Sequence, residues 1–174
     1  MTLDELMGCS RAQLSGHLAE GEPVHSDELV AGGAWAGVAL GLPRLVEAVA
    51  WKTFLKVVQR GRRGPCGYNV AVEQRGLASW QPVERRGRLR AYGPFVVDDT
   101  DRGVVLDYGA AAGRFDPMRW VRDPLVRVGP SLLLGVSDLH SRRLGLSART
   151  PTWFALMPPP APLAVDFPPY RCLL

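Results

Sequence analysis

Short apolar, β-branched and aromatic runs recur along the chain from Trp35 onward, separated by Gly, Pro, Asn or Asp. Period-two alternation inside them marks strands. Val104, Leu106 and Tyr108 share one face, with Val105 and Asp107 on the other, and Val126 and Val128 sit opposite Arg127. The pattern predicts strands near residues 35–40, 53–58, 68–74, 88–97, 103–108, 120–128, 132–140 and 152–157. Residues 45–51 read equally well as a helix. Asp98 through Gly103 reads as a hairpin turn, and Gly129-Pro130-Ser131 as another. Pro124 suits an edge or bulge position.

The first thirty or so residues follow a different period. Thr2 with Glu5, and Ser10 with Gln13, have capping-box spacing. Leu3, Leu6 and Met7 share one helical face, as do Leu14 and Leu18, and Ser26 is placed to cap one more turn. Helices this short do not stand alone, so residues 1–33 are expected to form a lid or plug over a sheet. Eight strands at short spacing, without crossover helices after residue 52, argue for an antiparallel barrel or sandwich rather than a parallel α/β sheet. The fold expected is mainly β: an antiparallel barrel of about eight strands over residues 1–157. The segment 158–174 is rich in proline and is expected to be extended. It would strap across the barrel through Leu163, Val165, Phe167 and Tyr170, or act as a docking peptide.

Composition sharpens this picture. With 19 glycines and 15 prolines in 174 residues, the chain cannot be mostly long helix. Its 47% hydrophobic content is enough for a packed core. The formal charge is +4, and the cations are arginines apart from Lys52 and Lys56. Arginines cluster at Arg60, Arg62 and Arg63, and at Arg85, Arg86, Arg88 and Arg90. Either cluster would suit an anionic partner, or simply keep a strand edge solvated. Three cysteines without a CxxC spacing are expected as reduced thiols. No basic n-region precedes an apolar core, and no apolar run reaches membrane-spanning length. A cytoplasmic protein that binds neither membrane nor nucleic acid is the expectation.

Motifs for nucleotides, zinc and a nucleophile elbow are all missing, so neither metal nor cofactor is expected. Gly33-Ala34-Trp35-Ala36-Gly37 has the form GxWxG and is followed by Trp51-Lys52-Thr53-Phe54. In these residues, and in Val105-Leu106-Asp107-Tyr108, Leu134-Gly135 and Trp153-Phe154-Ala155-Leu156, the chain resembles bacterial GXWXG-type proteins. More loosely it resembles the lipocalin (calycin) family, where the tryptophan of a GxW motif closes the barrel base. The resemblance implies a calycin-like barrel that binds a hydrophobic small molecule.

Polar residues inside apolar strands are the candidates for chemistry. Asp107 and Asp123, if desolvated in a lumen, would serve as general acid or base, with Tyr92 polarising a substrate. Arg122 would hold a carboxylate or enolate; the alternative is an Arg–Asp pair closing the barrel. Trp51, Tyr92, Tyr108, Trp120 and Trp153 are candidate pocket walls, and Trp35 belongs to the base. Three functions follow: a carrier of a polyketide- or lipid-like ligand, a cofactor-free cyclase or isomerase in the same cavity, or an interaction module using the arginine clusters or the tail.

Overall fold

The computed structural model describes residues 1–40, 52–113, 116–141, 146–163 and 165–168. Three short helices open the chain: α1 (Leu3–Met7), α2 (Arg11–Glu20) and α3 (Ser26–Gly32). Strands follow as β1 (Glu22–Pro23), β2 (Ala34–Leu40), β3 (Thr53–Gly61), β4 (Gly64–Ala71), β5 (Glu84–Arg85), β6 (Arg88–Leu89), β7 (Ala91–Thr100), β8 (Gly103–Asp107), β9 (Val121–Gly129), β10 (Leu132–Ser141) and β11 (Leu146–Met157). Eight of them form one antiparallel sheet in the order β9-β10-β11-β2-β3-β4-β7-β8, and β8 pairs back onto β9. The sheet is therefore a closed eight-stranded barrel, a form that leaves no free edge. β5 and β6 stand apart as a two-residue ribbon carrying Arg85, Arg86 and Arg88. Residues 45–51, with the helical alternative, lie outside the described residues.

Alternation sorts the side chains into two buried clusters. Inside lie Trp35, Val58, Phe95, Val97, Val104, Leu106, Tyr108, Val121, Leu125, Leu133, Phe154 and Leu156. Outside lie Val38, Leu55, Val57, Tyr68, Val70, Val126, Leu134, Val136, Trp153 and Ala155, and they too are buried. The barrel wall is thus apolar on both faces, and the outer face needs a cover. Leu6 and Leu14 of α1 and α2 supply part of it, as do Leu163 and Phe167 of the tail. Tyr68 donates to the Pro168 carbonyl at 2.9 Å and ties the tail down.

The N-terminal helices divide their labour in a way that a single lid does not describe. Both capping boxes form: Thr2 and Glu5 exchange backbone-to-side-chain bonds, and so do Ser10 and Gln13. α1 and α2 lie on the outer wall, while Leu29 of α3 and Val24 before it close one end of the lumen. Trp35 Nε1 donates to the Leu29 carbonyl at 3.0 Å and pins α3 there. Ser26 is the first helical residue rather than the cap, because its hydroxyl is drawn to Asp99 of β7 at 2.6 Å. The cysteines also depart from expectation: Cys9 is a free thiol, but Cys66 is disulfide-bonded.

Candidate functional site

The end of the barrel opposite α3 is not closed by any of the described residues. It holds a cavity of about 630 Å³, lined by Ala39, Phe54, Ala91, Tyr92, Met118 and Phe154 among others. That volume suits one small organic molecule. Four polar side chains from four strands meet inside it: Lys56 of β3, Asn69 of β4, Tyr108 just after β8, and Asp123 of β9. Each is at most 4% exposed.

Glycine makes the room for this group. A Cβ at Gly37, Gly67 or Gly135 would come closer than 3.0 Å to the rings of Phe54, Phe95 and Phe154 respectively. The three phenylalanines therefore lean over glycines in neighbouring strands. Together with Tyr108 they surround the Lys56 ammonium group, whose Nζ lies 4.9–5.5 Å from the four ring centroids. Such distances are within range of cation–π attraction.

Lys56 Nζ donates to Asn69 Oδ1 at 3.0 Å, to the Tyr108 hydroxyl oxygen at 2.5 Å and to Asp123 Oδ2 at 3.2 Å. Tyr108 in turn donates to Asp123 Oδ2 at 3.1 Å. Asn69 is oriented by the backbone: its Nδ2 donates to the Gly93 carbonyl at 3.1 Å, which turns Oδ1 toward Lys56. Gly93 has φ +53, a left-handed conformation that glycine adopts without strain. It sits where the β4–β7 register shifts. The other carboxylate oxygen, Asp123 Oδ1, is buried without a hydrogen-bond partner. An unsatisfied buried acceptor is costly, so this atom is the one most in need of a donor from a ligand or water.

Burial dominates the electrostatics. It holds the Lys56 amine below the ordinary lysine range, although Asp123 beside it pulls the other way. Burial, seconded by the Asp123 charge, holds the Tyr108 phenol well above its usual value. Tyr92, nearer the mouth, is pushed up to about 12, mainly by burial. The group is a desolvated amine, a phenol that keeps its proton and a carboxylate with one open lone pair. It is equipped to bind a polar atom and to pass a proton.

The candidates from sequence scatter over three places. Asp123, Tyr92 and Tyr108 line the cavity. Asp107 and Arg122 pair with each other on the outer side of the barrel. Asp107 also accepts from the Ala110 backbone at 3.2 Å, capping the turn after β8. They share a depression of about 290 Å³ with Trp120, Arg119 and His140. Trp120 is exposed there, with the Arg119 guanidinium 4.8 Å from its ring centroid. Trp153 is buried in the outer cluster, and Trp51 lies outside the described residues. Sequence reasoning missed Lys56 and Asn69. Both are polar residues inside apolar runs, Phe54-Leu55-Lys56-Val57-Val58 and Tyr68-Asn69-Val70, the same signal that singled out the two aspartates.

The site lies in a closed β-barrel whose lumen holds a cavity of a size compatible with a small molecule. No family model matches the chain, and no curated protein matches it. A solved structure described as a protein from Thermomonospora curvata is similar at 18% identity and a TM-score of 0.40, over 86% of this chain and 87% of that one. Among the described residues no helix is long and apolar enough to cross a membrane, and no three His, Cys, Asp or Glu side chains gather as metal ligands.

Proposed function

We propose that the protein binds a hydrophobic small molecule in its lumen, in the manner of calycin-like and GXWXG-type proteins. The ligand's apolar body would lie against Ala39, Phe54, Tyr92, Met118 and Phe154. Its polar group would meet Lys56, Tyr108 and Asp123. The observation that carries this reading is the 630 Å³ cavity, apolar along its walls and polar at one buried group. An apolar lining supplies affinity through burial, while a few fixed polar atoms supply orientation. Polyketide- or lipid-like compounds have this character.

A second reading is favoured by one further feature. The amine, phenol and carboxylate are in mutual contact, which a carrier does not need. The same cavity would then run a cofactor-free isomerisation or cyclisation, holding the substrate in a reactive fold while the group moves a proton.

Titration with the fluorescent probe N-phenyl-1-naphthylamine tests the binding reading. Saturable one-to-one binding is expected, and Ala39→Phe, which puts a ring into the mouth, should weaken it about tenfold or more, a shift of about 1.4 kcal/mol. Absence of saturation, or equal binding by native protein and the variant, would remove the cavity as a ligand site.

A further inference from the structure

We propose that Lys56 is a nucleophile, and that the lumen captures aldehydes or ketones by forming a reversible imine with its Nζ. The proposal rests on the lumen-binding reading and adds the chemical class of the ligand.

Three features of the geometry point this way. Lys56 is 3% exposed, yet it lines the cavity, so what reaches its amine must pass through an apolar chamber. A lysine used only as a structural counter-charge would be an expensive choice there. A hydrophobic residue of similar size fills such a position at no desolvation cost. Second, the amine touches both partners that imine formation requires. Asp123 Oδ2 at 3.2 Å takes the proton that frees the lone pair, and the Tyr108 hydroxyl, which accepts from Nζ at 2.5 Å and donates to Asp123 at 3.1 Å, is placed to relay protons between the nitrogen, the carboxylate and an oxygen on the attacked carbon. Third, Asp123 Oδ1 is without a partner, so the carboxylate has an open site for that proton or for the water released.

The step balances without any co-reactant. Lys56 ammonium gives one proton to Asp123, and the neutral amine attacks the carbonyl carbon to form a carbinolamine. The nitrogen passes its second proton through the Tyr108 hydroxyl to the new alkoxide, the proton held by Asp123 then moves to that hydroxyl, and water leaves, giving a protonated imine beside the restored Asp123 carboxylate. One C=N bond has replaced one C=O bond, and nothing is oxidised or reduced. Burial favours the neutral amine, which is how lysine is activated in apolar pockets. The titratable and charged groups facing it are Asp123 and Tyr108 in the group itself, with Tyr92 and Arg90 nearer the mouth. The surrounding rings oppose deprotonation of the amine but stabilise a cationic iminium equally well. Lys52, exposed just before β3, does not line the cavity.

The experiment uses the full chain with 6-methoxy-2-naphthaldehyde and its alcohol, 6-methoxy-2-naphthalenemethanol. Displacement of N-phenyl-1-naphthylamine reports binding of either compound. Sodium cyanoborohydride then reduces any imine to a stable amine, and peptide mass mapping locates it. Expected is displacement by both compounds, a single adduct at Lys56 with the aldehyde, and protection of that adduct by excess alcohol. At equal occupancy, set by displacement of the probe, Tyr108→Phe should trap the aldehyde about tenfold more slowly. Displacement by both compounds with no adduct, or with adducts only at Lys52 or the N-terminal amine, overturns the imine and leaves the binding site standing. Failure of the aldehyde to displace a saturably bound probe overturns the imine alone, whereas absence of saturable probe binding overturns the imine together with the lumen reading. Lys56→Met should abolish the adduct; if that variant does not fold, the map of the native chain still decides.

Discussion

Two Asp–cation pairs draw on adjacent residues of β9, Arg122 and Asp123, and they do opposite things. Asp107 with Arg122 sits on the outer side of the barrel, where the arginine side chain keeps 30% of its surface in water. Asp123 with Lys56 sits in the lumen, where both side chains are 3% exposed. Each pair joins an aspartate to a basic side chain, but the solvent differs. Outside, water reaches the Arg122 guanidinium but hardly Asp107, whose side chain is 6% exposed; the arginine can turn to solvent when its partner is lost, so the pair costs little to break. Inside, each charge depends on the other and on Asn69 and Tyr108, so the group is costly to build and sensitive to any loss. Where a fold keeps such a group in a cavity, function is the natural reason for it.

The largest break in the comparison comes from removing one lumen partner. Lys56→Met leaves the Asp123 carboxylate buried and unpaired, and should cost about 3–5 kcal/mol in urea unfolding. The double variant Lys56→Met with Asp123→Leu should recover most of that loss. A single variant within about 1 kcal/mol of native would show that water reaches the lumen group, and the contrast with Asp107 would vanish. Gly37→Ala comes next. Its methyl group would overlap the Phe54 ring, and overpacking of this kind costs about 1–3 kcal/mol. It should also disturb the aromatic ring around Lys56, so probe affinity should fall with stability. If affinity stayed unchanged, the glycine–phenylalanine stacking would not be what shapes the cavity.

How far these two pairs could be told apart from sequence is instructive. Eight strand positions were legible because turns and alternation both mark them, and each predicted run overlaps one barrel strand. The same alternation already separated Tyr108 from Asp107, and applied to Arg122 and Asp123 it would have separated those as well. Faces are decided by parity, so Tyr108 and Asp107 cannot line one lumen. Which parity points inward was not legible, because the outer wall is as apolar as the inner: Val38, Leu55, Val70 and Trp153 are buried from outside by α1, α2 and the tail. A one-sided barrel would have shown its lumen as the only apolar face. Lys56 escaped notice because a basic residue is ordinarily read as solvated. Its neighbours Phe54, Leu55, Val57 and Val58 carried the contrary signal.

Alkaline pH sharpens the comparison, because the lumen group contains a desolvated phenol and the Asp107–Arg122 pair does not. Tyr108 holds its proton in the fold well above the usual value, while the unfolded chain gives it up near pH ~10. Above that pH the folded state binds more protons, so stability falls as pH rises toward the folded value of Tyr108. The slope is up to about 1.4 kcal/mol per pH unit. Tyr92, pushed up to about 12, contributes in the same direction across its own window. Lys56 has the opposite sign: held low in the fold, it favours folding increasingly as pH rises, up to about 10.4. Tyr108→Phe should therefore flatten the fall in the urea midpoint above pH ~10 without removing it, since Tyr92 remains. An identical fall in native and variant would mean that Tyr108 is not desolvated.

The smallest effect belongs to the outer pair, and it is the control for all the others. Asp107→Asn keeps an acceptor for the Ala110 backbone and removes the charge facing Arg122. With 30% of the Arg122 side chain in water, the loss should be less than about 1 kcal/mol and should shrink further at high salt. Probe affinity and reductive trapping at Lys56 should be unchanged, because Asp107 faces away from the lumen on a strand whose Val104 and Leu106 point inward. A loss of binding or trapping in Asp107→Asn, with the fold intact, would couple the two sides of the wall through the register pairs Asp107–Arg122 and Leu106–Asp123. The β8–β9 ladder would then be part of the site rather than its support.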